Sequence, residues 1–143
     1  MILVISVCEN KLHEEEFVKP VTDLLENYKV VHYSELKEVK EDKIIICGTA
    51  LKDNSYLDHL DKFSWLKNFK GKVLGICAGM QIIGKVLGKE LEEDKKIGFI
   101  DNKYYLHSFK VKGFGDILEK NNFKGVLFHP EIRNKEIIKE FVD

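Results

Sequence analysis

The feature that most constrains the fold is a short run in which an apolar strand leads directly into a cysteine flanked by small residues. Residues 72–76 read KVLGI, and Cys77 is followed by Ala-Gly-Met-Gln. A buried strand that passes through small residues into an apolar helix is typical of a nucleophile elbow, the sharp turn that lifts a reactive side chain above a sheet. Small neighbours are needed because the turn brings two backbone segments close together. An ordinary core strand followed by a core helix has the same apolar pattern.

A second motif near the C-terminus favours the reactive cysteine. Residues 125–131 read GVLFHPE, a buried-looking strand that ends on His129 and Glu131. Alternation along an extended segment places these two side chains on one face, and Pro130 restricts the backbone between them. By itself, His-Pro-Glu is also compatible with a simple strand exit into the last helix. Next to the elbow, a cysteine nucleophile, a histidine base and an orienting carboxylate predict a thiol triad.

The two motifs together resemble the signature of class I glutamine amidotransferase domains. Residues 75–81 (GICAGMQ) and 128–131 (FHPE) carry the likeness, with the cysteine mid-chain and His-x-Glu near the end. Residues 104–109 (YYLHSF) are similar to the family's strand with a His-Ser pair, and residues 44–49 (IIICGT) stand where the family keeps its glycine-rich oxyanion loop. The resemblance covers the chain from about residue 43 onward.

This resemblance implies a reaction and its residues. Cys77 would attack the side-chain carboxamide of glutamine, His129 would carry the proton to the leaving ammonia, and Glu131 would orient the imidazole. Water would then hydrolyse the thioester to glutamate. The other implied roles are an oxyanion hole of backbone N–H groups from Gly48, Thr49 and Ala78, and substrate binding by Gln81, His107, Ser108 and Phe109.

Some departures from the family pattern keep alternatives open. Gly48-Thr49-Ala50 is poorer in glycine than the loop of most members, and the chain is short after the elbow helix. No synthetase domain is recognisable, so the ammonia is expected to pass to a separate synthetase subunit. The alternatives are a γ-glutamyl hydrolase of the same fold and a non-catalytic domain that binds or regulates. A related elbow-cysteine family uses a glutamate near the position of Glu9.

The composition fits one compact α/β domain, predicted to span residues 1–143. Charged residues make up 33% of the chain and give a formal net charge of −1, which favours neither nucleic-acid nor membrane partners. No apolar run approaches the roughly 20 residues that span a bilayer, and the N-terminus lacks the basic start of a signal peptide. The three cysteines have no metal-like spacing, so we expect no metal or other cofactor and a reducing, cytoplasmic location.

The alternation of predicted strands and helices indicates a doubly wound, mostly parallel sheet flanked by helices, with a small antiparallel hairpin. Strands are predicted at residues 2–7, 29–33, 43–47, 72–76 and 126–128, and a hairpin at 96–100 and 103–110 around Asp101-Asn102. Helices are predicted at 14–27, 35–39 (capped by Ser34) and 57–69, after Cys77, and from about Asn134.

Overall fold

The main sheet has six strands, all parallel to their neighbours except one at an edge. The computed structural model describes residues 1–143. The strands are β1 (Ile2–Ser6), β2 (Tyr28–His32), β3 (Lys43–Ile46), β4 (Lys72–Ile76), β7 (Ile117–Lys120) and β8 (Phe123–Val126). They lie in the order β2-β1-β3-β4-β8-β7, and β7 is the antiparallel edge. Because the chain adds strands on both sides of β1, the prediction of a doubly wound, mostly parallel sheet is confirmed.

Short helices cover both faces of this sheet. The α-helices are α1 (Glu14–Phe17), α2 (Lys19–Thr22), α3 (Ala78–Val86) and α4 (Glu136–Val142). Segments of 3-10 helix lie at Lys11–His13, Tyr33–Glu35 and Ser55–Asn68. None of the helices combines the length and the apolar character needed to cross a membrane.

The core lies in two layers, one on each face of the sheet. Ile44 and Ile46 pack into one hydrophobic cluster with residues of α3 and of the long 3-10 segment, whereas Ile45 packs into the other with residues of α1, α2 and α4. All three isoleucines are fully buried. Strands buried on both faces explain why these segments read as continuous apolar runs instead of alternating.

Three predicted helices differ from the structure. The stretch 14–27 forms two short helices that meet at Val18, because Pro20 lies in the first turn of α2 and has no N–H to continue the hydrogen bonds of α1. The segment 35–39 is not a helix capped by Ser34; a 3-10 turn forms earlier, and His32 accepts the N–H of Ser34. The segment 57–69 is 3-10 rather than α-helical and is interrupted at His59.

The C-terminal strands also correct the predicted bounds. The last parallel strand ends at Val126, whereas the prediction placed it over residues 126–128. The N–H of Leu127 donates to the carbonyl of Asp116, the residue before β7. Strand β7 was not predicted, because only Leu118 of its four residues is buried. Such a short edge strand has almost no hydrophobic pattern to detect.

The predicted hairpin is present and longer than expected. Strands β5 (Leu91–Ile100) and β6 (Lys103–Val111) pair antiparallel around Asp101 and Asn102. Both turn residues have positive φ, 50° and 66°, as a two-residue type I′ turn requires. The hairpin lies against the segment that follows β8, since the N–H of His129 donates to the Tyr104 carbonyl of β6 at 2.8 Å.

Candidate active site

Cys77 occupies a sharp turn between β4 and α3. Its φ of 51° and ψ of −99° lie where side chains other than glycine are rarely found, and such a conformation costs about 1–3 kcal/mol. A Cβ atom on Gly75 would lie 2.5 Å from the backbone of Gly79. The two crossing segments therefore approach as closely as the small residues of the elbow motif predict.

His129 and Glu131 form a buried pair. The Nδ1 atom of His129 lies 2.9 Å from Oε2 of Glu131, and both side chains are 1% exposed. The expected extended alternation is wrong, because the N–H of Ile132 donates to the His129 carbonyl at 3.2 Å and closes a turn. Pro130 follows the first residue of this turn, a position that its fixed φ favours. The turn, not a strand, brings the imidazole and the carboxylate together.

One carbonyl oxygen joins the cysteine to the histidine. Cys77 Sγ donates to the Leu106 oxygen at 3.3 Å, and His129 Nε2 lies 3.4 Å from the same oxygen. Cys77 is only 3% exposed, because strand β6 lies over it. The Cys77 thiol and the His129 Nε2 atom, which would exchange a proton, therefore both contact the Leu106 carbonyl of β6.

The surroundings of His129 favour its charged form. Burial alone would lower the pKa of His129, but the charges of Glu131 and Cys77 and the hydrogen bonds with them raise it well above its ordinary value. An imidazolium next to a cysteine stabilises the thiolate. This arrangement suits a histidine that holds a proton for the leaving group.

The predicted oxyanion donors lie in two segments beside the triad. A Cβ atom on Gly48 would lie 2.7 Å from His129 Cε1 and 3.3 Å from Cys77 Cβ, so this glycine packs directly against both side chains. The N–H groups of Gly48, Thr49 and Ala78 donate to no backbone carbonyl. Free donors beside a nucleophile are what stabilisation of an oxyanion requires.

Gln81 is fixed by two partners inside the protein. Its Nε2 atom donates to the Phe109 carbonyl at 2.9 Å, and its Oε1 atom accepts the Tyr56 hydroxyl at 2.5 Å. The side chain is 2% exposed and links α3 to β6. The Gln81 side chain is therefore hydrogen-bonded to the Phe109 carbonyl and supports β6 in this structure; its predicted role in substrate binding stays a prediction. Tyr56 was missed, since nothing near it in the sequence points to this contact.

His107 and Ser108 lie where β6 faces an irregularity of β5. His107 Nε2 lies 2.9 Å from Asp94 Oδ2. Burial lowers the pKa of His107, although the hydrogen bond with Asp94 and its charge oppose this effect. The pairing register shifts between Glu93 and Lys96, and Ser108 has no partner there. Bulges often lie next to active sites, and here the bulge falls at Ser108, whose backbone the resemblance assigns to glutamine.

The remaining candidates are not members of the triad. Glu9 is exposed, and its N–H, not its side chain, makes a hydrogen bond, to Asp53. Cys8 and Cys47 are buried free thiols. Burial raises the pKa of both, so they are poor nucleophiles at neutral pH.

A parallel α/β sheet with a cysteine elbow and a buried His–Glu pair defines the class to which this protein belongs. The chain is a member of the glutamine amidotransferase class-I family, whose family model matches residues 13–118. The match includes Cys77 and ends before His129, so the position of the His–Glu pair rests on the structure.

Named relatives have limited identity to the chain. It is 26% identical over 161 aligned positions to the imidazole glycerol phosphate synthase subunit HisH of Buchnera aphidicola, covering 73% of this chain and 81% of the relative. It is 27% identical over 147 positions to the subunit HisH 2 of Campylobacter jejuni, covering 68% and 75%.

Solved structures share the fold across nearly the whole chain. A candidate GMP synthase subunit from Thermoplasma acidophilum superposes with a TM-score of 0.75 at 18% identity, covering 99% of this chain and 91% of the other. A glutamine amidotransferase from Thermotoga maritima gives a TM-score of 0.59 at 14% identity, covering 99% and 86%. At these identities the likeness establishes the fold.

Proposed function

We propose that the chain hydrolyses glutamine to glutamate and ammonia through a thioester on Cys77, and that the ammonia passes to a separate synthetase subunit. The observation that carries this proposal is the buried His129–Glu131 pair beside a cysteine held at positive φ. Membership of the class I family supports glutamine as the substrate.

In the first half of the reaction, the Cys77 thiolate attacks the side-chain carboxamide carbon and a C–S bond forms. The negative charge moves to the amide oxygen, where the N–H groups of Gly48 and Ala78 stabilise it. The tetrahedral intermediate then expels ammonia as the C–N bond breaks, and the leaving nitrogen takes the proton held by His129.

In the second half, neutral His129 removes a proton from water, which attacks the thioester carbonyl. The C–S bond breaks, glutamate leaves, and the proton returns the triad to its starting state. Glu131 stays hydrogen-bonded to Nδ1 throughout, so that Nε2 is the nitrogen that exchanges protons.

A separate ammonia acceptor is supported by the relatives. Both HisH proteins are named as subunits of imidazole glycerol phosphate synthase, and this class of partner is the first to test. The likeness to a candidate GMP synthase subunit makes a GMP synthetase subunit the second.

The test uses a diazo-ketone analogue of glutamine, from which a thiolate displaces dinitrogen to leave a stable thioether. We expect the analogue to label Cys77, and glutamine to be converted to glutamate and ammonia in equal amounts. Cys77→Ala and His129→Ala should abolish both results. Cys8 and Cys47 serve as internal controls, because mass spectrometry of the peptides shows which thiol carries the label.

The assays are run on the chain alone and with each candidate synthetase subunit. Absence of both labelling and hydrolysis under all conditions would overturn the proposal in favour of a binding domain. Faster hydrolysis of γ-glutamyl peptides than of glutamine would replace it with a γ-glutamyl hydrolase.

A further inference from the structure

Asp53 ties together the segment that carries two of the proposed oxyanion donors. Its Oδ2 atom accepts the hydroxyl of Thr49 at 2.7 Å and the N–H of Glu9 at 2.5 Å. Its own N–H donates to the Ala50 carbonyl at 3.0 Å. We refer to residues 48–52 as the oxyanion loop; Asp53 holds this loop at its C-terminal end and joins it to the segment that follows β1.

The oxyanion loop has few other hydrogen bonds. After the N–H of Cys47 donates to the Ile5 carbonyl, no N–H of residues 48–52 donates to a backbone carbonyl. A second anchor is the Ser108 hydroxyl, which donates to the Leu51 carbonyl at 3.0 Å. Side chains from outside the loop therefore help to position it: Asp53 binds the Thr49 hydroxyl, Ser108 binds the Leu51 carbonyl, and the Cys8 thiol lies 3.9 Å from the Gly48 carbonyl. Among these side chains, Asp53 also binds a second segment, through the N–H of Glu9.

The burial of Asp53 is costly for stability. The residue is 4% exposed, and its Oδ1 atom is buried without a hydrogen-bond partner. His13 Nδ1 lies 3.9 Å from Oδ2, beyond hydrogen-bond distance. A buried carboxylate with one unpaired oxygen destabilises the fold, and an unpaired group of this kind calls for another explanation.

The opposite end of the oxyanion loop reaches the triad. Gly48 packs against His129 and Cys77 so closely that a methyl group would contact both. A displacement of the loop would therefore move the Gly48 N–H relative to the thiolate. Errors of about 1 Å in such geometry lower rates by about 100-fold.

We propose that Asp53 is a positioning residue for acyl transfer, which holds the oxyanion loop so that the Gly48 N–H faces the oxygen of the tetrahedral intermediate. This inference rests on the proposed glutaminase function. Asp53 touches no reacting atom, and it acts through Thr49 and the backbone of Glu9.

The first test compares Asp53→Ala with the conservative Asp53→Asn, whose amide oxygen can accept the same two hydrogen bonds. Asp53→Ala should lower kcat for glutamine about 10- to 100-fold while KM stays within about twofold, since Asp53 itself makes no hydrogen bond to the substrate-binding strand. Asp53→Asn should recover most of the loss. Asp23→Ala, which removes an exposed carboxylate paired with Lys19, is the matched control.

A second readout separates positioning from a general structural role. Iodoacetamide alkylates Cys77 by direct displacement of iodide, a reaction that forms no oxyanion. Its rate in Asp53→Ala should equal that of the wild type although glutamine hydrolysis falls. An equal fall in both rates, or no fall in glutamine hydrolysis, would overturn the inference.

A third readout does not depend on activity. The backbone amide resonances of Gly48 and Thr49 should shift in Asp53→Ala and keep nearly their wild-type positions in Asp53→Asn. Unchanged amides in Asp53→Ala would overturn the inference, whatever the enzyme does. An inactive wild type with every candidate partner would instead overturn the proposed function, so the two failures are distinguishable.

Discussion

The Leu106 carbonyl oxygen lies 3.3 Å from Cys77 Sγ and accepts the hydrogen bond of the thiol. The same oxygen lies 3.4 Å from His129 Nε2, so one backbone atom of β6 contacts both the nucleophile and the base. Cys77 is only 3% exposed, so strand β6 covers the thiol in this structure.

The cover of β6 over Cys77 predicts the effect of loosening the hairpin. Gly98 in β5 has a φ of 105°, so Gly98→Ala should cost about 1–3 kcal/mol of local stability. We expect iodoacetamide to label Cys77 several-fold faster in this variant. Gly115→Ala is the control, because its φ is not positive and a Cβ there meets no heavy atom within 4 Å. Equal labelling rates would show that β6 does not limit access.

Glu131→Gln should separate the charge of the carboxylate from its shape. The amide keeps the size of the side chain but removes the negative charge that raises the pKa of His129. We expect the pKa of His129 to fall and kcat to drop by up to about 10⁴-fold, as in other triads that lose the orienting carboxylate. The measurements are an NMR titration of the imidazole and the glutaminase assay. Glu119→Gln, at an exposed edge position, is the control.

The His129–Glu131 pair also predicts how stability depends on pH. The folded-state pKa of His129 is raised above its unfolded value, which is about 6.5. The stabilisation is therefore fully present below about pH 6.5 and is lost as the pH rises through the raised pKa. In urea unfolding, the free energy of unfolding of the wild type should exceed that of Glu131→Gln, and this difference should be largest at the acidic end of the pH window. A difference in the free energy of unfolding that grows with pH would contradict stabilisation by the His129–Glu131 pair.

Part of this site can be read from contiguous sequence. The elbow at Cys77 follows from the sequence because its small residues and its apolar strand are adjacent, and the turn at Asp101-Asn102 follows from local turn chemistry. The sequence predicts that His129 and Glu131 lie side by side, and their side chains do so in the structure. The predicted backbone geometry is wrong, since a turn replaces the extended segment.

The supporting contacts have no such local signal. Asp53, Tyr56 and Leu106 act through hydrogen bonds to residues that lie 4 to 44 positions away in the chain, and nothing in their own neighbourhood distinguishes them from ordinary polar or core residues. The short elements were missed for a related reason: β7 and the 3-10 segments make few periodic apolar contacts, so tertiary packing decides their conformation.

Tyr56→Phe tests the support behind β6. Removal of the hydroxyl leaves the buried Gln81 oxygen without its donor, which should lower the free energy of unfolding by about 1–3 kcal/mol. Because Gln81 also binds the Phe109 carbonyl, KM for glutamine should rise. Urea unfolding and initial-rate kinetics measure the two effects. The exposed Tyr28→Phe is the control, and an unchanged stability in Tyr56→Phe would contradict the network.

Gly48→Ala tests the contact between the oxyanion loop and the triad. The new methyl group would lie 2.7 Å from His129 Cε1, too close for two carbons, so we expect the imidazole to move away from Cys77. We expect kcat to fall by about 100-fold, and iodoacetamide labelling of Cys77 at neutral pH to fall as well, because the imidazolium that stabilises the thiolate is displaced. The second effect separates Gly48→Ala, which disturbs the histidine, from Asp53→Ala, which should leave alkylation unchanged. Wild-type labelling in Gly48→Ala would show that the loop, and not the imidazole, moves to accommodate the methyl group.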